Sequence, residues 1–280
     1  MPRIIVTIGP SSINKDVLNG LREAGADSFR INLSHSNRDS LKHYIDVFES
    51  CGIVPSIDTQ GAQLRIDELR LGENNCFEDG LIDVCFGNGY KNQITNNFIR
   101  LNHPEASSQC KVGDFLRVDF GGFCLQLTEQ IDDCLWKSSI SAHGPVTVNR
   151  AVDIIGKPVR LSILTDFDKE AISYAIGRGC KEVYASFASS KYDVLKVREH
   201  INNKDVQIIA KIESAKGLAN AKDIILASDE VLIDRGDLSR EIGIPSVPIA
   251  VSAVSQISKS HGKPLNVATN VLDSMMNSPI

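Results

Sequence analysis

IIAKIESAKGLANAKDIILASDEVLIDRGD, residues 208–237, is the stretch that decides the architecture. Its opening run carries Lys211 and Glu213 at i and i+2, so on a strand both side chains point to one face. About twenty residues on, a second strand-like run, Glu230–Ile233, delivers Asp234, Arg235, Gly236 and Asp237 to what should be its carboxyl end. Carboxylates from two successive strand ends, with a lysine beside one of them, are the groups that a hard divalent cation and an anionic substrate need.

The same rhythm extends in both directions. Arg3–Ile8 is an apolar run closed by Gly9-Pro10 and followed by Ile13, Val17, Leu21 and Ala24 at helical spacing. Ser28–Leu33 repeats the pattern before a helix over Asp39–Cys51, and Ile53–Ile57 predicts a third strand ending at Asp58-Thr59. After a long break the helical pattern resumes over Thr165–Arg178. Strands follow near Glu182–Phe187, Gln207–Ile212, Glu230–Ile233 and Pro264–Ala268, with helices that include Ser190–Asn202 and Val247–Ser260. Short alternation of this kind predicts an α/β fold with a parallel sheet, a TIM-type (β/α) barrel that is incomplete because seven strands are recognisable. No glycine-rich dinucleotide fingerprint follows the first strand, which counts against a doubly wound sheet.

The break, Ile66–Arg160, is rich in Gly, Asn, Asp and β-formers, with turn signals at Gly87-Asn88-Gly89, Gly113-Asp114 and Gly121-Gly122 and no helical pattern. It reads as an inserted small β-barrel domain. The expected division is residues 1–65 with 161–280 for the catalytic barrel and 66–160 for the insert.

Composition narrows the class. With 280 residues and a net charge of −5, and with no basic or acidic block, the chain gives no reason to expect nucleic acid or a polybasic membrane contact. No apolar run reaches membrane-spanning length, and the start is too short for a signal-peptide core. Seven scattered cysteines without CxxC or zinc spacing predict free thiols in a reducing cytoplasm.

In a barrel of this type the chemistry sits at the carboxyl ends of the strands. There the sequence places Thr7, then Arg30, Asn32 and Ser34, then Asp58, Thr59 and Arg65, followed by Ser186, Lys211, Glu213, Asp234, Asp237, Thr269 and Asn270. The set carries both signs of charge and is poor in histidine. It fits phosphate or carboxylate chemistry with a metal, because no Ser-His-Asp arrangement is apparent. Gly236-Asp237-Leu238 could open a helical turn whose N–H groups hold an anion, and Lys211 could neutralise a phosphoryl group or an enolate oxygen. Each motif alone has a bland counterpart: Lys-x-Glu as a surface ion pair, Arg-Gly-Asp as a turn, Asn32-Leu-Ser34 as a helix cap. Polar groups recurring at nearly every strand end weigh against those counterparts.

These residues fall in recognisable order: Thr7-Ile-Gly-Pro10, Arg30-Ile-Asn-Leu-Ser-His35, Asp58-Thr-Gln-Gly61 with Arg65, Ala210-Lys-Ile-Glu213, Arg235-Gly-Asp-Leu238 and Ala268-Thr-Asn-Val-Leu-Asp-Ser-Met275. The chain resembles the pyruvate kinase family over essentially its whole length. The resemblance implies a Mg2+ or Mn2+ ion held by Glu213 and Asp237 and bridging phosphoenolpyruvate. It implies Lys211 stabilising the phosphoryl group in flight, Arg30 positioning the phosphate with support from Arg65, and Thr269 assisting protonation of enolpyruvate. Gly236 and Asp237 would offer backbone N–H groups to the substrate carboxylate. Asn32, Ser34, Asp58 and Thr59 match potassium ligands, and Thr7, Pro10 and His35 fall near the nucleotide.

Departures are equally specific. Gln60 and Gln63 stand where the family has lysine and glutamate, which bears on potassium dependence. Asp234 replaces an alanine beside the metal carboxylate, Ser239-Arg240 a Gly-Val pair, and Asn270-Val271 a Gln-Met pair. The segment Ala142-His-Gly-Pro-Val-Thr-Val-Asn149 lacks a nucleotide-contacting lysine. The sequence stops at Ile280, before the family's eighth strand; either a partner subunit or an irregular arrangement closes the gap or the sequence is a fragment, and a homo-oligomer covering the open edges is the expectation. Phosphoryl transfer between phosphoenolpyruvate and ADP in the cytoplasm leads. A metal-dependent lyase or aldolase acting on a 2-oxo acid, and a non-catalytic phosphoenolpyruvate-binding protein, stay open beside it.

Overall fold

The computed structural model describes residues 3–70, 81–89, 97–119, 122–269 and 271. The chain runs through β1 (Ile5–Ile8), α1 (Lys15–Glu23), β2 (Ser28–Asn32), α2 (Arg38–Ser50) and β3 (Ser56–Asp58). It then passes through β4 (Ile66–Arg70), β5 (Leu81–Phe86), β6 (Phe98–Leu101), β7 (Phe115–Val118), β8 (Phe123–Gln130), β9 (Leu135–Ala142) and β10 (Val152–Ile154). It returns with α3 (Asp166–Gly177), β11 (Glu182–Ala185), α4 (Lys191–Ile201), β12 (Gln207–Ile212), α5 (Ala215–Ala219), α6 (Ala221–Ala227), β13 (Glu230–Asp234), α7 (Arg235–Ile242), α8 (Val247–Ser260) and β14 (Leu265–Ala268). Two compact units result, residues 1–61 with 166–280 and residues 62–165.

In the first unit seven parallel strands lie in the order β1-β2-β3-β11-β12-β13-β14, curled into the greater part of a TIM-type barrel. Every adjacent pair is parallel because each return passes through a helix, the crossover that a parallel pair requires. The helices follow ordinary local rules. Asn37 caps α2 in a reciprocal box with Ser40, and Leu41, Tyr44, Ile45 and Phe48 form its buried stripe. Each such large apolar side chain contributes about 1.5–3 kcal/mol by leaving water. The inner face of the strands supplies a small cluster of Tyr184, Ile209 and Leu232, with Ile5 and Ala268 against it. Among the described residues no ladder joins β1 to β14. A cavity of about 770 Å3 lies along those two strands, lined by Ile5, Thr7, Arg30, Leu232 and Thr269 among others.

The second unit is a sheet in the order β10-β7-β8-β9-β5-β6-β4, antiparallel except for the β5–β6 pair. Its outer strands meet at an Arg65–Ala151 bridge, with Ile66 N donating to Arg150 O and Val152 N to Leu64 O, so the sheet closes on itself there. The core is one cluster that includes Ile66, Val84, Phe86, Phe123, Leu127 and Trp136. The described helical structure in this unit is a short 3-10 segment, Pro104–Gln109.

Strand and helix boundaries follow the expected rhythm within a few residues, with one physical departure. The third strand starts at Ser56 and not at Ile53, because Pro55 has no N–H to give to a ladder. The six cysteines among the described residues are free thiols, and Cys76 lies outside the described residues. No helix among the described residues is long and apolar enough to cross a membrane.

Candidate functional site

β12 presents Ile209 and Lys211 to the barrel interior and Ile208, Ala210 and Ile212 to the helices, the two-residue period of a strand buried on both faces. Glu213 follows as the strand ends, and the Lys211 ammonium meets Glu213 Oε1 at 2.9 Å. The same ammonium reaches Asp58 Oδ1 at 3.1 Å and donates to Ser186 Oγ at 3.1 Å. Asp58 also accepts from Ser186 Oγ at 3.0 Å, and its other oxygen meets Arg30 Nη1 at 3.1 Å. Four strand ends, those of β2, β3, β11 and β12, therefore converge on one buried charge network.

Burial disfavours the Lys211 cation, but the carboxylates of Asp58 and Glu213 outweigh that and hold its pKa above the ordinary lysine value. Burial also pushes Glu213 up, to about 7, against the pull of Lys211; Asp234, Asp237 and Asp58 add to the rise as neighbouring negative charges. Glu213 Oε2 accepts from Phe187 N at 2.7 Å, and Phe187 holds φ at 56°, a left-handed conformation uncommon for an aromatic residue. Glu213 Oε1 is buried and accepts no hydrogen bond, facing the Lys211 ammonium alone.

β13 and β14 supply the other half. One ligand oxygen each from Glu213, Asp234 and Asp237 lie within 4.8 Å of one another. Asp234 caps α7: its Oδ1 accepts from Gly236 N at 3.1 Å and from Thr269 Oγ1 at 2.5 Å. The Gly236 N–H, expected to face a substrate carboxylate, is thus already taken by a side chain of the same turn. Arg235 Nε donates to the Thr269 carbonyl at 3.0 Å, and Arg240 Nη1 meets Asp237 Oδ1 at 3.4 Å.

The remaining expected residues are placed as follows. Asn32 accepts from Ser34 N at 2.9 Å, and Thr59 Oγ1 accepts from Ser186 N at 3.0 Å, so two of the four expected potassium ligands are engaged by neighbouring backbone. Asp58, a third, already meets two cations. Thr7 Oγ1 accepts from Arg30 Nε at 3.1 Å and Nη2 at 2.8 Å, and Thr7, Pro10 and His35 are all exposed. Arg65 belongs to the second unit, where its Nη1 donates to Asn149 O at 3.0 Å. Asn270 lies outside the described residues. Two contributors were not singled out in the sequence. Tyr184 lies under the Arg30 guanidinium at 5.3 Å, and Asp168 accepts from Gln60 N at 2.7 Å and Gly61 N at 3.2 Å, fixing the loop after β3. An aromatic in a strand buried on both faces carries no signal of which face it takes, and Asp168 reads as an ordinary acidic residue of a helix's first turn.

The donor set fits a hard divalent cation. Three carboxylates offer oxygens at mutual distances that one ion can span, and one of the three residues, Glu213, has a buried oxygen that accepts no hydrogen bond. Two cationic side chains, Lys211 and Arg30, flank the set and suit an anionic oxygen-rich ligand.

Compared with known proteins, residues 1–280 match the family model described as pyruvate kinase, barrel domain. Pyruvate kinase 1 of Saccharomyces cerevisiae is 30% identical over 291 residues, covering 99% of this chain and 57% of its own. The pyruvate kinase of Sporosarcina psychrophila is 31% identical over 287 residues, with 48% of its length covered, and pyruvate kinase 1 of Trypanosoma brucei brucei is 28% identical over 287 residues, with 57% covered. The chain thus spans about half the length of the curated relatives it matches.

Proposed function

From the premise that the chain belongs to the pyruvate kinase family, we propose that it transfers a phosphoryl group between phosphoenolpyruvate and ADP, giving pyruvate and ATP. The observation that carries this reading is the buried network of Lys211, Asp58, Glu213, Arg30 and Ser186, a fixed cation set where transferring charge would sit. Glu213 and Asp237 would hold Mg2+ or Mn2+, which when bound supplies positive charge to the substrate's anionic oxygens.

In this reading the chain's own groups do the following. Lys211, kept protonated by its two carboxylates, neutralises the phosphoryl group as it moves. Arg30, anchored by Asp58 and Thr7, orients the phosphate. Thr269, whose hydroxyl is tethered to Asp234, would assist protonation of the enolate, and the helical turn at Gly236-Asp237 would receive the substrate carboxylate once the Gly236 N–H exchanges Asp234 for it. Thr7, Pro10 and His35 would contact the nucleotide, and Asn32, Ser34, Asp58 and Thr59 match a potassium site whose use is open to test, given Gln60 and Gln63 and the partners that Asn32, Asp58 and Thr59 already have. The exposed Ile244 and Ile249, at 77% and 73%, support self-association into a homo-oligomer, which sedimentation velocity would check.

A phosphorus NMR time course of phosphoenolpyruvate, ADP and Mg2+, with and without K+, tests the proposal beside a Lys211→Met control. ATP formed by the unaltered protein alone is the expected result, and intact phosphoenolpyruvate in a folded, metal-loaded sample would overturn it. The second reading, lyase or aldolase chemistry on a 2-oxo acid, is favoured by Ala142-His-Gly-Pro-Val-Thr147, which has no lysine for a nucleotide while Lys211 and Thr269 are retained. Methyl-proton exchange of pyruvate without ADP would support it.

A further inference from the structure

Among the departures from the family resemblance, Asp234 is the one that adds a carboxylate beside Glu213 and Asp237. It stands at the end of β13, 9% exposed, where the family carries an alanine. Its carboxylate is held by two donors on a single oxygen, Gly236 N at 3.1 Å and Thr269 Oγ1 at 2.5 Å. Both donors are neutral, and among the described residues no lysine or arginine forms an ion pair with it, although the Lys211 cation feels its charge at longer range. The neighbouring carboxylates differ in this respect, since Glu213 meets Lys211 and Asp237 meets Arg240.

A buried carboxylate with no cationic partner is costly, and proteins satisfy such a group with a counter-charge or a metal. One oxygen each of Asp234, Glu213 and Asp237 lie within 4.8 Å of one another. Oxygens bound to one divalent ion at about 2.0–2.6 Å lie within that range of each other. One oxygen of Glu213, Oε1, is buried and accepts no hydrogen bond, with the Lys211 ammonium at 2.9 Å. The Lys211 ammonium facing it is already shared with both oxygens of Asp58 and with Ser186, so it does not saturate that oxygen.

We propose that Asp234 is a third carboxylate ligand of the divalent-cation site formed with Glu213 and Asp237, giving the substrate-free protein a metal affinity that two carboxylates alone would not provide. The inference rests on the divalent-metal reading above and extends it to a residue of this chain. Two hydrogen bonds to one oxygen fix the Asp234 rotamer in advance. The side chain is therefore ordered before an ion binds, and its second oxygen accepts no hydrogen bond from either of these donors. A third negative charge also lets the ion bind before the substrate's own oxygens arrive.

The test is Mn2+ binding to the full chain without substrate, read from the electron paramagnetic resonance signal of free Mn2+, for the unaltered protein, Asp234→Ala, Asp234→Asn and Glu213→Gln. Asp234→Asn keeps the acceptor oxygen for Gly236 and Thr269 and removes the charge, so it is the informative variant if Asp234→Ala fails to fold. The expected result is at least a tenfold weakening of Mn2+ binding in Asp234→Asn, in Asp234→Ala where folded, and in Glu213→Gln. Unweakened binding in both Asp234 variants beside a weakened Glu213→Gln would overturn the proposal and leave the two-carboxylate metal reading standing. Unweakened binding in Asp234→Asn beside a weakened Asp234→Ala would also overturn it, reducing Asp234 to a support for Thr269. Unweakened binding in Glu213→Gln as well would overturn the metal reading itself.

Discussion

Thr269 donates its hydroxyl to Asp234 Oδ1 at 2.5 Å while its backbone holds φ at 71°, so a β-branched residue is kept in the left-handed region by a tether from the neighbouring strand end. Backbone strain of this kind costs about 1–3 kcal/mol. A hydrogen bond to a charged acceptor returns about 1.5–3 kcal/mol, and Arg235 on the Thr269 carbonyl adds a second tether. The two sides are of similar size, which is why the arrangement persists.

Substitution at Thr269 should reverse the usual preference against glycine. Thr269→Val keeps the β-branch and its strain but loses the donor, and should destabilise the protein by about 1–3 kcal/mol. Thr269→Gly loses the same bond yet relieves the strain, so it should cost less than valine. Urea midpoints of the two variants give the order; valine milder than glycine would mean that the φ of 71° carries no strain.

Lys211→Met should abolish the proposed phosphoryl transfer and destabilise the fold. Asp58 and Glu213, each 1% exposed, would lose a shared cation, and breaking one side of a buried pair costs about 3–5 kcal/mol. The double variant Lys211→Met with Glu213→Gln should lose less than the sum of the singles, because the uncompensated charge is gone. Additive losses in denaturant melts would contradict that.

The metal-free protein should lose stability as pH rises from about 4.5 to about 7. Glu213, whose pKa burial lifts from the ordinary carboxylate value of about 4.5 to about 7, keeps its proton in the folded state across a range where the unfolded chain has released it. The folded state binds more protons there, so alkalinity favours unfolding over that window. Melting temperatures across the range should fall, and Glu213→Gln should flatten the trend.

The β unit should show an acid limb of the opposite sign. Burial raises the Glu105 pKa, but the His103 ring at 3.0 Å and the Ser162 N–H at 2.7 Å outweigh it and bring the group down to about 2. The stability it lends is present above about 4.5 and is lost as pH falls toward 2. Trp136, the sole tryptophan and buried in this unit, reports the transition by its fluorescence. Glu105→Gln should lower stability at neutral pH and make the acid limb shallower.

Gly61→Ala should be severe. A Cβ there would meet Ser186 O at 2.4 Å, and the residue's φ is +71°. The loop after β3 or Ser186 must move, and Ser186 bonds both Lys211 and Asp58. A loss of more than about 2 kcal/mol, together with reduced turnover, is expected from urea melts and the phosphorus assay.

Local pattern carried much of this in advance. β12 and α8 have the bounds that periodicity gives them, Gln207–Ile212 and Val247–Ser260, because each is a long apolar run with clear ends. The meeting of Lys211 and Glu213 follows from their two-residue spacing alone. What the chain does not show locally is anything decided by the curl of the sheet. The facing of Tyr184 toward Arg30 and the left-handed backbone of Phe187 are of this kind. So is the grip of Asp168 on two N–H groups more than a hundred residues earlier in sequence. Each depends on which strand ends become neighbours, and that is a property of the closed arrangement rather than of any window of residues.

That grip has a consequence for how such a chain can be assembled. Gln60 and Gly61, where the backbone departs for the β unit, are clasped by Asp168, where it has just come back. The exit and the re-entry are thus stitched at one point, and the barrel fragment meets the intervening hundred residues as a cassette with adjoining ends. A segment with adjoining ends can be lengthened, shortened or exchanged at little entropic cost to its host.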